Sequence, residues 1–202
     1  MKLLEIFRRK RPIRDPRALA DFIDAQAAFL VQKGIYEYSR ARAGHYAKVL
    51  FAEPIFAESV ERSRWQAFPL GLAMVAEMVE GALLPQAGDD FRAVIDELAA
   101  LVLSVFDRYP LPAALDAETW RAARAELSQR LLANHGRKAV KDIPIPYAER
   151  YFALMPIHEK LRGSDFPAIR NYLRVTLCNM HAELTERMDA DALVGELVAA
   201  RV

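Results

Sequence analysis

Apolar positions recur at three- and four-residue intervals along nearly the whole chain, and no segment longer than a few residues alternates in the period of a strand. Asn-Gly and Asp-Gly hairpin turns are absent as well. The pattern predicts an all-α fold, a single-domain multi-helix bundle of about seven or eight helices with no sheet.

Residues 16 to 52 place Leu19, Ile23, Leu30, Tyr38 and Val49 near one stripe, with Pro16 suited to a first helical position. Gly34 and Gly44 are the points where this long helix can bend or split. Pro54 predicts a helix start running to Arg64, and Pro69 a second running to Leu84. The "PQAGDD" stretch at 85–90 reads as a loop, with Asp89 or Asp90 capping the next helix. Residues 90–108 are apolar nearly all round from Leu98 onward, which predicts the central, most enclosed helix. Asp116 is an expected N-cap for a helix over 117–134, and Gly136 its expected stop. Pro144 and Pro146 predict extended backbone in "KDIPIPYAER". A helix from Tyr147 should break at Pro156, restart there and end by Gly163. Ser164 or Asp165 then caps a long helix to Met188, and Asp189 begins a last short one.

Composition and charge refine this picture. The chain has 202 residues, 53% of them hydrophobic, enough for one large domain with a real core. A formal net charge of +1 gives no global field for nucleic acid, so no nucleic-acid partner is expected. Cys178 is the only cysteine, which rules out an intramolecular disulfide. The apolar stretch 67–84 is interrupted by Glu77 and Glu80, and 98–106 is short of the roughly 20 residues a bilayer span needs. Without a secretory pattern at the N-terminus, a cytoplasmic location is expected.

The sequence offers little catalytic chemistry. Carboxylate-bridged metal sites in bundles use a Glu three residues before a His, and His45, His135, His158 and His181 all lack it. Cys178 and His181 share a helical face but provide two ligands at most, so no metal and no cofactor is expected. The G-x-S-x-G elbow, the phosphate loop and the dinucleotide fingerprint are absent. Glu77 and Glu80 share a helical face among apolar residues. If buried they are candidates for acid–base work, but the plainer expectation is that they mark the wet side of their helix.

Two polar–aromatic clusters remain. On one helix Tyr38, Arg42 and Tyr46 are spaced four apart, with His45 three past Arg42. On a later one Tyr147, Arg150 and Tyr151 share a side. Converging, they would make a guanidinium-and-phenol pocket for an anion; separately, they would bury their stems at helix seams, which is the favoured expectation. The chain divides into a basic amphipathic arm over 1–14 and a helical domain over 15–202. In the arm Leu3, Leu4 and Phe7 sit beside Arg8, Arg9, Lys10 and Arg11, the ingredients of a weak contact with an anionic membrane. The leading functional expectation is a non-catalytic interaction or assembly module. Its partner would be another protein or a second copy, with a peripheral contact at the inner face of the membrane. The alternative is a small-molecule binder or enzyme whose Tyr/Arg/His pocket takes an anionic or acyl ligand.

Overall fold

Asp15 starts the first helix by accepting a hydrogen bond from the Ala18 amide at 2.8 Å, and Pro16 fills the first helical position, where a missing N–H costs nothing. The computed structural model describes residues 11–133 and 138–200. Helix α1 (Pro16–Ala43) ends where Gly44 takes φ 55°, a conformation that suits glycine, and a 3-10 turn over Gly44–Tyr46 leads to α2 (Ala47–Ala52). Gly34 does not bend the helix. An added Cβ there would meet the Tyr151 hydroxyl and the Tyr172 ring, so the glycine makes room for two tyrosines. Leu19, Ile23 and Leu30 are fully buried, whereas Val49, expected on the same stripe, is exposed because the Gly44 turn resets the helical phase.

Helix α3 (Pro54–Ala87) corrects the proline reading, since it runs through Pro69 and Pro85 without a break. A mid-helix proline removes one hydrogen bond and costs about 3 kcal/mol. Residues 67–80 are buried without interruption, and apolar burial on that scale outweighs the loss. The same run makes α3, not the following helix, the central one. It packs against α1, α2 and most of the helices later in the chain. It approaches α1 closely, since a Cβ added at Gly71 would lie 2.7 Å from Val31 Cγ2 and 3.2 Å from the Ala27 carbonyl oxygen.

The expected 85–90 loop shrinks to a 3-10 turn at Gly88–Asp90, leading into α4 (Phe91–Phe106). Helix α4 buries Val94, Leu98, Val102 and Val105 on one face and leaves Ser104 outside. Asp116 then caps α5 (Ala117–Ala133) through the Thr119 amide at 2.8 Å. The expected stop at Gly136 lies outside the described residues.

Pro144 and Pro146 do not extend the chain. A 3-10 turn at Val140–Asp142 precedes α6 (Ile145–Ala153), with Ile143 and Pro144 both in the right-handed helical region. Ile143 is buried and the Arg174 Nε donates to the Lys141 carbonyl at 3.0 Å, so tertiary packing overrides the local preference before proline. The short α7 (Glu159–Arg162) stops at Gly163, then α8 (Phe166–Arg187) and α9 (Ala190–Ala199) complete the chain. Asp189 caps α9 through the Ala192 amide. Among the described residues there is no strand, only an isolated parallel bridge. In it the Ile13 amide donates to the Arg187 carbonyl at 2.9 Å, and the Asp189 amide to the Ile13 carbonyl at 3.0 Å. Ile13 is fully buried, which ties residues 11–14 to the α8–α9 corner. One contiguous apolar core links these helices. The most apolar stretch within residues 54–106 is long enough to cross a bilayer, but 78% of it is buried inside the bundle.

Candidate functional site

The tyrosines and arginines singled out in the sequence go to separate helix seams. The Tyr38 hydroxyl donates to Asp165 Oδ2 at 3.0 Å, and Arg42 Nε lies 3.3 Å from the same oxygen. Asp165, expected to cap α8, instead ties the start of α8 to the end of α1. His45 and Tyr46 lie 3.9 Å apart between centroids with their planes tilted by 41°, and both stay in solvent. On α6, Tyr147 and Tyr151 share the buried face. Tyr147 donates to Glu77 Oε2 at 3.3 Å under the Arg130 guanidinium, while Tyr151 reaches the Leu30 and Val31 carbonyls of α1. Arg150 leaves that face and pairs with Glu126 on α5, which Arg130 also holds. The guanidiniums keep the Glu126 carboxyl below the ordinary glutamate range, Arg150 contributing most. Of the membrane-contact residues, Leu3, Leu4, Phe7, Arg8, Arg9 and Lys10 lie outside the described residues, and Arg11 is exposed.

Burial has a consequence for the phenols. It pushes Tyr38, Tyr109 and Tyr172 up to about 12, and Tyr151 well above the ordinary tyrosine value. An unfolded phenol ionises near about 10, so these groups favour the folded state fully below that pH and less as pH rises through 12. Thermal melts followed in parallel with phenolate absorbance should show the melting temperature falling between about pH 10 and 12, with these four of the seven tyrosines ionising at higher pH in the folded chain than in the unfolded one. Phenolate signal from all tyrosines in a fully helical protein would contradict the assignment.

Glu77 and Glu80 are not on a wet side. Each is only 8% exposed, and together with Gly81, Val140, Ile143 and His181 they line a cavity of about 260 Å³ between α3, the 138–143 segment and α8. Lys138 Nζ lies 2.7 Å from Glu77 Oε1, opposite the Tyr147 hydroxyl on Oε2. A buried carboxylate is tolerable when an ammonium and a phenol share its charge, and here that sharing fastens residues 138–147 onto the central helix. Cys178, which shares a helical face with His181, is exposed.

A different surface stands out at the junction of α1, α2 and α3. Tyr36 is 43% exposed, Tyr46 59%, Val49 60% and Ile55 85%. Phe51 packs on Tyr36 at 4.8 Å and edge-on to Phe56 at 5.2 Å, so Tyr36 rests on an ordered aromatic base. Scattered apolar residues are ordinary, whereas here four exposed ones fall within residues 36–55. Of the charged residues here, Arg40 already pairs with Glu37, Arg42 with Asp165 and Glu58 with Arg62, which leaves Lys48 on α2 and Glu53 at the start of α3.

A further cluster escaped the sequence reading. Trp65 meets Phe68 at 5.9 Å, Tyr109 at 5.3 Å and Trp120 at 5.9 Å, all edge-on, and Trp120 stacks on Phe106 at 4.2 Å. The Tyr109 hydroxyl is held by Asp24 at 2.6 Å, and Arg108 bridges Asp21 and Asp24. The i, i+3 spacing of Trp65 and Phe68 is legible in the sequence, whereas the arrival of Tyr109 and Trp120 depends on the fold.

No family model, curated protein or solved structure matches this chain.

Proposed function

We propose that the chain is a non-catalytic helical assembly module that pairs with a second copy of itself through the surface over residues 36–55. The observation that carries this reading is the exposure of Tyr36, Tyr46, Val49 and Ile55 within one segment, with Tyr36 seated on Phe51. Full burial of a valine or isoleucine side chain is worth about 1.5–3 kcal/mol, so these residues suit the apolar centre of an interface. A second copy is the favoured occupant because the surrounding charge is self-complementary. A two-fold axis through the patch would set Lys48 of one copy against Glu53 of the other. Lys48 and Glu53 flank Val49 and make no ion pair among the described residues, which leaves both available for that contact. The main polar groups at the inner seams are already engaged: Glu77 with Lys138 and Tyr147, Asp165 with Tyr38 and Arg42, Tyr151 with backbone carbonyls. That engagement supports the reading of a structural scaffold.

Sedimentation equilibrium tests the proposal. The wild-type chain should fit a monomer–dimer equilibrium, and Val49→Asp combined with Ile55→Asp should sediment as a monomer with unchanged helical circular dichroism. A wild-type monomer at every attainable concentration would refute it, as would a variant that still dimerises like the wild type.

A further inference from the structure

Between α1 and α3, beside the aromatic cluster, lies a cavity of about 190 Å³ lined by Ala28, Val31, Arg64, Trp65, Phe68 and Tyr109. Its walls are apolar or aromatic except for the Arg64 guanidinium and the Gln32 carboxamide at the rim. Arg64 stacks over the Trp65 ring at 4.9 Å and gives its Nη2 to Glu61 Oε2 at 2.6 Å. Its Nε, the other half of the same fork, is enclosed and has no acceptor among the described residues. An enclosed donor with no acceptor is unfavourable, and a charged one more so. The ring walls are fixed from behind, Tyr109 by its bond to Asp24 and Trp65 by Trp120, so the cavity is preformed rather than a gap between mobile side chains.

We propose that this cavity binds a small aromatic carboxylate, its ring against Val31, Phe68 and Tyr109 and its carboxylate accepting from Arg64 Nε. The size fits a single ring with a short acid chain, since a dry cavity of roughly 150 Å³ accepts benzene. The walls suit a ring because edge-on aromatic contacts are already the geometry of the cluster. The acid is required by the guanidinium, which recognises planar carboxylates through paired N–H donors. Glu61 competes for that fork. Arg64 keeps 30% of its side chain in solvent, so rotation can present Nε to a guest without unfolding its helix. This site is separate from the surface over residues 36–55 and stands or falls independently of it.

The chain contains only two tryptophans, and both belong to this cluster, so their fluorescence reports on the cavity directly. Titration with phenylacetate should give a saturable change, and the neutral phenylacetamide should bind about tenfold more weakly. Arg64→Gln should erase the preference for the acid while leaving weak, equal binding of both probes. Glu61→Gln should strengthen phenylacetate binding about two- to fivefold, because it removes a competing negative charge, and should leave the amide unaffected. Ala28→Leu should fill the cavity and abolish both responses, with circular dichroism confirming the fold. Absence of a saturable phenylacetate response in the wild-type chain would overturn the proposal. So would an Arg64→Gln variant that still prefers the acid, or a Glu61→Gln variant that binds it no better.

Discussion

Gly71→Ala is expected to lower the unfolding free energy by about 2 kcal/mol, although alanine is the better helix former. At an open helical position the exchange favours the folded state by about 0.5–1 kcal/mol. At Gly71 the new methyl would sit 2.7 Å from Val31 Cγ2 and 3.2 Å from the Ala27 carbonyl oxygen. The second contact is backbone, so α1 and α3 must separate, and the whole seam between them loses contact. For a chain of this size the melting temperature should fall by roughly 4–8 °C. Gly195→Ala provides the control. Its added Cβ meets nothing within 4 Å on α9, and stability should rise. Urea midpoints at unchanged m-value decide the matter, and a Gly71→Ala variant as stable as Gly195→Ala would show that α1 and α3 do not approach so closely.

The larger loss is expected at Trp120. Helix α5 buries only Trp120, Leu127 and Leu131, and this ring is the largest of the three anchors. It lies flat on Phe106 with 24° between the planes and takes the edge of Trp65. Trp120→Ala should cost about 3–5 kcal/mol, from lost apolar burial and the void left between α4 and α5. Trp120→Phe, which retains a stacking ring, should keep the greater part of the stability. Denaturant unfolding measures both, and hydrogen exchange localises the effect. In the alanine variant the amides of α5 should lose protection ahead of those of α3. A loss below about 1 kcal/mol would mean that the α4–α5 contact is not built on this stack.

The short-range chemistry was legible in the sequence. Asp116 and Asp189 cap their helices, Gly44 and Gly163 end theirs, and the all-helical class follows from the period of the apolar positions. Each of these rests on atoms within a few residues of one another. Pro69 was misleading because its local cost is offset by burial of residues 67–80, which only the assembled bundle provides. Pro144 and Ile143 adopt helical angles for a similar reason, held by packing against α8. Glu77 and Glu80 were visible as a pair on one face, but their burial depends on Lys138 and Tyr147 arriving from elsewhere in the chain. The polar–aromatic rows on α1 and α6 were legible as rows, and their partners were not. Asp165, Glu126 and the Leu30 carbonyl lie at least 24 residues from the side chains they bind. The apolar surface over residues 36–55 escaped because Val49 reads as part of the inward stripe until the Gly44 turn rotates it outward.

Charge reversal across the proposed two-fold axis tests self-pairing most directly. Lys48→Glu and Glu53→Lys are each expected to shift the chain to monomer in sedimentation equilibrium, because each sets like charges against one another beside Val49. The doubly exchanged chain should recover the wild-type dimer. If both single variants dimerise as the wild type does, or the double variant fails to recover, pairing through this surface is wrong.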